Sequence, residues 1–302
     1  MAIIRNTASA FMRGKVGNTS YYTSNGRQVA RQAMNNSNYG ESAKRTLAQQ
    51  KRRVMWSNLV NFAKVAKPVL RGAFQFKKEG LSDYNEFMRV NLPGARVALT
   101  KEQAALSTCV ISNFQVSSGD LTSIPFDKTS GIPLINVSGL PADVSAMTVG
   151  QFAQYMIDGT NCDLREGDGI FVAIFGGSGN RMAGGYNPAW VEYAELTLDT
   201  TDQRDLIDVL PGMASHNEAS KLNPAHLVSR QLAMVSMGMV VIHTRKENGK
   251  LRVSTESVML TEDGFLAETS WTNPSIIDEA VASYGISGDP IIAPKGDNSG
   301  TL

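Results

Sequence analysis

The stretch Gly-Ile-Phe-Val-Ala-Ile-Phe at residues 169–175 is a nearly continuous apolar run. A strand that is buried on both faces has this pattern. Residues 190–198 alternate instead, with apolar side chains on one side and Glu195 and Thr197 on the other. We therefore expect these two runs to pair as neighbouring strands, joined by the glycine-rich connection of residues 176–185.

A second strand pair is predicted further along the chain. Residues 231–243 and 251–260 flank the sequence Lys-Glu-Asn-Gly-Lys at 246–250. Asn-Gly between apolar runs is the strongest short-range signal for a β-hairpin, because both residues tolerate the positive φ of a tight turn. The sequence therefore predicts an antiparallel hairpin here.

The remaining residues after 93 are predicted to be mostly β, with short helices. Residues 96–99 and 109–116 have the composition of strands, and residues 132–137 form an expected edge strand because Pro133 lacks a backbone donor. Helices are predicted at 83–89 after Ser82, at 149–157 after Thr148, at 201–210 and at 274–282. The class is α+β and mainly β: an N-terminal arm and basic helix, followed by one or two antiparallel, β-sandwich-like domains.

Residues 1–40 have the sequence of an extended arm with a small hairpin. Two strand-like pieces, 20–23 and 27–30, surround an Asn-Gly turn at 25–26. An isolated two-stranded hairpin is marginal in water. The arm therefore either docks on its own domain or a neighbouring subunit, or it is a solvated terminus.

Residues 42–67 are predicted to form an amphipathic helix within a basic segment, 41–92. Ser42 is a candidate N-cap, apolar residues recur along one stripe, and Pro68 ends or kinks the helix. The basic residues lie off that stripe and are Lys44, Arg45, Lys51, Arg52, Arg53, Lys64, Lys67 and Arg71. The helix is therefore expected to present a strongly cationic face.

The cationic helix belongs to a chain whose charge is separated along the sequence. Residues 1–80 contain 15 of the 29 Lys and Arg residues and only two acidic residues, Glu41 and Glu79, so their net charge is +13. The remaining residues have a net charge of −12. This separation indicates either an anionic partner for the first part or charge pairing between copies of the chain.

Three interpretations of the basic segment are open. The first is an ordinary solvated helix face, and the second is a nucleic-acid site in which Lys and Arg neutralise phosphates. The third is an interface for an acidic protein surface. Tyr21, Tyr22 and Trp56 are interleaved with the basic residues. Aromatic side chains stack on bases, and they also anchor protein interfaces, so they fit either of the last two interpretations.

No motif in the sequence predicts an enzyme. The stretch Gly-Ser-Gly at 177–179 lacks the final glycine of a nucleophile elbow, and no glycine-rich phosphate loop is present. The three histidines lack metal-binding spacing, and the acidic residues at 163, 166 and 168 lack the order of a calcium loop. Cys109 and Cys162 form neither a C-x-x-C pair nor a disulfide framework. We therefore expect no catalytic residue, metal or cofactor.

The sequence also predicts no membrane span and no signal peptide. No apolar run reaches the length of a membrane span, and residues 1–10 lack a signal-peptide pattern. We expect no membrane partner.

Three short motifs carry a resemblance to a protein family. They are Gly-Lys-Val-Gly-Asn at 14–18 before a Tyr- and Arg-containing strand, Arg-Thr-Leu-Ala-Gln-Gln-Lys at 45–51, and Ala-Lys-Pro-Val-Leu-Arg-Gly-Ala-Phe at 66–74. Along most of residues 14–260 the chain resembles an uncharacterised family of Bacteroidota and their phages. The resemblance implies an N-terminal arm and helix followed by β-sandwich-like domains, ending in a hairpin similar to residues 239–260. The residues after 261 depart from this pattern.

For a phage protein, the resemblance implies a virion component made in the bacterial cytoplasm, such as a neck, tail-ring or tail-associated subunit of a tailed, crAss-like particle. The leading hypothesis is a non-enzymatic structural subunit of a ring-like homo-oligomer, whose partners are copies of itself and neighbouring virion proteins. The alternatives are a nucleic-acid-binding protein that uses the basic segment, and a glycan-binding surface protein that uses loops such as 176–185.

The expected divisions of the chain are 1–40 (arm), 41–92 (basic helical segment), 93–261 (β-rich body) and 262–302 (C-terminal helix and extended tail).

Overall fold

The computed structural model describes residues 2–4, 13–24, 27–32, 47–124, 126–127, 134–135, 137–139, 141, 146–177, 188–209, 237–257, 259–260 and 273–284. The strands are β1 (Ala2–Ile4), β2 (Gly14–Val16), β3 (Thr19–Ser24), β4 (Arg27–Gln32), β5 (Gln115–Ser117), β6 (Phe126–Asp127), β7 (Leu134–Ile135), β8 (Gly169–Gly176), β9 (Trp190–Thr197), β10 (Met237–Glu247), β11 (Lys250–Val253), β12 (Glu256–Ser257) and β13 (Met259–Leu260). The helices are α1 (Leu47–Val65), α2 (Lys67–Leu70), α3 (Asp83–Asn91), α4 (Lys101–Ala105), α5 (Val149–Gly159), α6 (Leu206–Val209) and α7 (Pro274–Ser283), with a 3₁₀ turn at Leu92–Gly94.

The strand predicted at residues 169–175 is β8, inside a five-stranded antiparallel sheet. The strand order is β11, β10, β8 and β9, and β13 also pairs with β10. Val172, in the middle of β8, lies opposite Ala194 of β9 on one side and Val241 of β10 on the other. The predicted pairing of the two runs is confirmed.

Both faces of β8 are buried, which explains why its sequence does not alternate. Val172 and Ile174 point into a core that includes residues of α5. Ala173 and Phe175 point the other way, into a core that includes residues of α1, α2 and α3. The ring centroids of Phe175 and Phe62 of α1 are 4.9 Å apart. The basic helical segment and the β-rich body therefore share one core.

The α+β class and the antiparallel sheet architecture are confirmed. In the described part of the chain, helices cover both faces of the central sheet. A β-sandwich packs two sheets face to face, whereas the described part of this sheet is covered by helices on both faces.

The hairpin predicted around the Asn-Gly dipeptide is also confirmed. Strands β10 and β11 pair from Thr244 opposite Val253 to Glu247 opposite Lys250. Asn248 and Gly249 close the turn with φ values of 51° and 74°. Two consecutive positive φ values define the turn type that matches the twist of a two-residue hairpin.

Two of the other predicted strands are wrong over most of their length. Residues 96–99 are extended but pair with no strand among the described residues, and of residues 109–116 only the last two belong to a strand, β5. Both segments are apolar because they are buried, as Val97, Leu99 and Val110 are at most 2% exposed. Leu99 N donates to the Val54 carbonyl of α1, and the backbone groups of Val110 and Gln115 bond to the side chains of Asn58 and Asn91. The apolar pattern does not distinguish such segments from strands. Of residues 132–137, Leu134–Ile135 forms a strand that pairs with Phe126–Asp127.

Helix α1 ends at Val65, two residues before the predicted end. The amides of Ala66 and Leu70 continue the helical hydrogen-bond pattern, to Phe62 O at 2.7 Å and Ala66 O at 2.9 Å. Pro68 sits in the first turn of α2, where a missing amide proton costs least. The predicted N-cap, Ser42, lies outside the described residues.

The small N-terminal hairpin is confirmed as β3 and β4, which pair from Thr19 opposite Gln32 to Ser24 opposite Arg27. These strands belong to a four-stranded sheet in the order β1, β4, β3 and β2. The predicted turn at 25–26 lies outside the described residues.

The predicted capping residues Ser82 and Thr148 are confirmed, and the helix predicted at 274–282 is α7, which Asn273 caps. Ser82 Oγ accepts from Asn85 N at the start of α3, and Thr148 forms a capping box with Gln151 at the start of α5. The acidic helix predicted at 201–210 is shorter, because α6 begins only at Leu206. Upstream of it, the Asp199 and Asp202 carboxylates accept from backbone amides two residues on, a local bond that competes with helix formation. The tail, 285–302, lies outside the described residues.

Candidate cationic interface

The strongest charge feature of the described chain is its first long helix and the segment after it. Residues 47–78 contain eight Lys and Arg residues and no Asp or Glu. Helix α1 packs its buried side, with Leu59 and Phe62, against the central sheet. The amphipathic pattern places the basic side chains away from this core. The structure divides six of them, all but Lys77 and Lys78, into three groups with different surroundings.

The first group is held by the C-terminal helix. Lys51 Nζ lies 3.0 Å from Asp278 Oδ1 of α7, and the Arg53 guanidinium lies over the Tyr284 ring, 5.5 Å from its centroid. Val54 of α1 packs against Val281 between these contacts. Lys51 and Arg53 therefore form contacts between α1 and the C-terminal helix α7 and its following residue. Sequence reasoning missed these contacts because their partners are more than 200 residues away along the chain.

The second group lies at the end of α1 and along α2. Lys64, Lys67 and Arg71 are exposed and form no ion pair with any described residue. Their spacing of three and four residues places them on one side of a helical segment. We call these three residues the cationic face.

The third group surrounds a cleft beside α1. Arg52 is exposed, Trp56 is 40% exposed, and both line a hollow that reaches Leu92. Arg96, which sequence reasoning did not single out, lines the adjoining hollow and is also exposed. Arg96 stands alone in an apolar segment, so no local pattern marked it.

The two predicted tyrosines lie in the N-terminal sheet rather than on α1. Tyr21 and Tyr22 are neighbours on β3, so their side chains point to opposite faces of that sheet. The Arg31 guanidinium covers the Tyr22 ring at 5.5 Å from its centroid. The predicted residues Lys44 and Arg45 lie outside the described residues.

A concentration of negative charge lies in two segments, one before β8 and one after β9. We call residues 163–166 and 199–208, the second of which runs into α6, the acidic loops. They carry six carboxylates and two arginines: Asp163, Glu166, Asp199, Asp202, Asp205 and Asp208, with Arg165 and Arg204. Glu166 Oε1 accepts from Thr200 N at 3.0 Å, which joins the two loops.

Hydrogen bonds keep several of these carboxylates ionised. Arg165 lowers the pKa of Asp163, the Thr201 hydroxyl and amide lower the pKa of Asp199, and Arg204 lowers the pKa of Asp202. Each bond favours the charged form of the carboxylate. The acidic loops therefore hold their negative charge at neutral pH and in mild acid.

A second polar constellation is buried where β8 and β10 meet. Arg245 donates to both carboxylate oxygens of Asp168, from Nε to Oδ1 at 2.7 Å and from an Nη to Oδ2 at 2.7 Å. His243 Nε2 lies 2.9 Å from Asp168 Oδ2, and His243 Nδ1 lies 3.2 Å from Thr122 O. Burial raises the pKa of Asp168, but the bonds from Arg245 and His243 outweigh burial and lower it below the ordinary value.

Among the described residues, the imidazole ring of His243 is hydrogen-bonded to Asp168 and to the Thr122 carbonyl. Ser254 Oγ accepts from the backbone amide of His243 at 3.0 Å, not from its ring. The network joins β8, β10 and the loop before β8, which is a structural role. The sequence marks Asp168 only as one of three nearby acidic residues, because its partners on β10 are more than 70 residues away along the chain.

The described residues offer no metal, thiolate or membrane site. No group of three His, Cys, Asp or Glu side chains among them is arranged to hold a metal ion. Cys109 and Cys162 are buried free thiols, and burial raises the pKa of both. No helix in the described ranges has the length and apolarity needed to cross a bilayer.

Comparisons with protein-family models, with curated proteins and with solved structures find no match to this chain. The family resemblance of the three sequence motifs therefore stays a prediction, and the function must be argued from the surfaces themselves.

Proposed function

We propose that the chain is a non-enzymatic structural subunit of a repeating assembly, in which the cationic face of one copy contacts the acidic loops of the next. The observation that carries this proposal is the exposure of Lys64, Lys67 and Arg71 without an ion-pair partner among the described residues. The same chain carries the complementary charge on its acidic loops. Contact between copies of the chain therefore pairs the charges of the cationic face and of the acidic loops without another partner.

The two surfaces belong to different parts of the fold. The cationic face lies on the helical layer that covers one side of the sheet, whereas residues 199–208 contact the start of α5, which covers the other side. Gly150 N, for example, donates to Asp202 O at 2.9 Å. A contact between two different surfaces is heterologous, and it forms a ring when the rotation between subunits closes.

The resemblance suggests where such an assembly works. We propose a tailed-phage virion, with the subunit in the neck, the tail ring or a tail-associated structure, next to other virion proteins.

A second candidate function is nucleic-acid binding. It is favoured by Trp56, which is 40% exposed beside the exposed Arg52. An accessible indole next to a guanidinium supplies both base stacking and phosphate neutralisation. This function predicts DNA binding with a strong inverse dependence on salt.

Mass photometry of the purified chain at low and high ionic strength tests the proposed function. We expect oligomers at low ionic strength that dissociate as salt screens the charged contact. Mass spectrometry of purified particles tests the virion proposal. A monomer under all conditions, absent from particles, contradicts both.

A further inference from the structure

A cleft runs along α1, opposite the turn that follows α3. Its inner part has a volume of about 510 Å³ and lies between α1, residues 94–97 and residues 112–115. Two further hollows extend it outward past Leu92 and Pro93 to Trp56. Adjacent hollows share lining residues, Met55 and Ala95 in one case and Arg52 and Leu92 in the other, so they form one groove.

The groove has an apolar floor and a cationic rim. Met55, Leu92 and Pro93 supply the floor, and Arg52 and Arg96 supply exposed guanidinium groups. None of the described residues that line the groove is Asp or Glu. Charge complementarity therefore selects an anionic occupant with apolar groups.

Two asparagines that line the inner part of the groove are already engaged within the chain. Asn58 bonds the amide and carbonyl of Val110, and Asn91 bonds those of Gln115, at distances of 2.8 to 3.0 Å. These amides have little capacity left to orient a small polar ligand. The occupant of the groove is therefore recognised by the arginines of the rim and by contact with the apolar floor.

We propose that this groove binds a linear acidic peptide of a partner protein, with an apolar side chain on the floor and carboxylates at Arg52 and Arg96. Arginine pairs with carboxylates in a bidentate geometry, and an accessible Trp beside it is a typical anchor of protein interfaces. The groove is separate from the proposed assembly contact, because Lys64, Lys67 and Arg71 do not line it.

Fluorescence anisotropy with the full chain tests this proposal. The probe is a fluorescein-labelled peptide of sequence Glu-Glu-Leu-Leu-Glu-Glu, and the comparison peptides replace its leucines by serine or its glutamates by lysine. We expect the probe to bind and both comparison peptides to bind more weakly. Arg52→Ala and Arg96→Ala should each weaken probe binding roughly tenfold, as expected for hot-spot arginines.

Lys101→Ala is the control, because it removes an exposed cation that lies outside both the groove and the cationic face, and its probe affinity should be unchanged. Circular dichroism verifies that all variants are folded. No binding, or equal binding by the Arg52, Arg96 and Lys101 variants, overturns the proposal. A labelled oligothymidine that binds more tightly than the peptide and responds to the same arginines also overturns it, in favour of a nucleic-acid groove.

Discussion

Asn58 of α1 forms two hydrogen bonds with the backbone of Val110: Val110 N donates to Asn58 Oδ1 at 2.8 Å, and Asn58 Nδ2 donates to Val110 O at 3.0 Å. Both residues are buried. The side-chain amide thus takes the place of a neighbouring strand. Asn91 of α3 makes the same pair of bonds with Gln115. These two asparagines fix the buried extended segment between α4 and β5 against the helical layer.

Replacing Asn58 by Ala should lower the free energy of unfolding by about 2–4 kcal/mol, because it leaves a buried amide and a buried carbonyl without partners. Denaturant unfolding measures this loss. Asn113→Ala, at an exposed position of the same extended segment, should change stability by less than about 0.5 kcal/mol. Similar losses in both variants would show that the Asn58 bonds are not what holds the segment.

Replacing Asp168 by Asn should be more damaging, with a loss of about 3–5 kcal/mol. The substitution keeps the shape of the side chain but leaves the largely buried Arg245 guanidinium without its counter-charge. Asp163→Asn is the matched control, since Asp163 is exposed and its contact with Arg245 is 3.3 Å. We expect a loss of no more than about 1 kcal/mol there. Thermal unfolding of the two variants side by side distinguishes these outcomes.

Asp168 should also make the free energy of unfolding depend on pH in the acidic range. The folded-state pKa of Asp168 lies below its ordinary value of 3.8. Its contribution to stability is therefore complete above pH 3.8 and is lost as the pH falls through the folded-state pKa. The stability difference between the wild type and Asp168→Asn should be constant near neutral pH and shrink in stronger acid. If the stability difference between the wild type and Asp168→Asn stays constant throughout the acid titration, the lost stability comes from altered packing and not from the lost charge.

Both cysteines should be unreactive in the folded chain. Cys109 is completely buried and Cys162 is 8% exposed, and burial disfavours the thiolate of each. Ellman's reagent should label neither thiol under native conditions and both after denaturation. Rapid native labelling of Cys109 would show that the layer between the sheet and α1 opens readily.

The sequence predicted those elements whose signal is local. The apolar run of β8, the alternation of β9, the Asn-Gly turn and the caps Ser82 and Thr148 all act within a few residues. Residues 109–116 were predicted wrongly because Val110 and Gln115 bond to the side chains of Asn58 and Asn91, on helices that are distant in the sequence. In the segment 96–99, Leu99 N donates to the backbone carbonyl of Val54 in α1 instead of to a strand. Apolar composition reports burial and does not identify the donor that satisfies a backbone carbonyl.

The candidate site was predictable to a similar extent. Composition identified the cationic segment, but only the structure separates Lys51 and Arg53, which contact α7, from the exposed Lys64, Lys67 and Arg71. The pairing of Asp168 with His243 and Arg245 depends on the register of β8 and β10, which no local pattern specifies.

The contact between the cationic face and the acidic loops of the next copy is tested most directly by charge reversal in trans. One variant carries Lys64→Glu, Lys67→Glu and Arg71→Glu, and the other carries Asp163→Lys, Asp205→Lys and Asp208→Lys, which changes the net charge of the acidic loops from −4 to +2. Each variant alone presents two surfaces of the same sign, so each should sediment as a monomer. Mixing them restores opposite charges at every contact.

Sedimentation velocity of the two variants, alone and mixed, is the decisive measurement. We predict monomers from each variant alone and assemblies of the wild-type size from the mixture. Assembly of either variant alone, or a mixture that remains monomeric while the wild type assembles, would contradict the proposed contact.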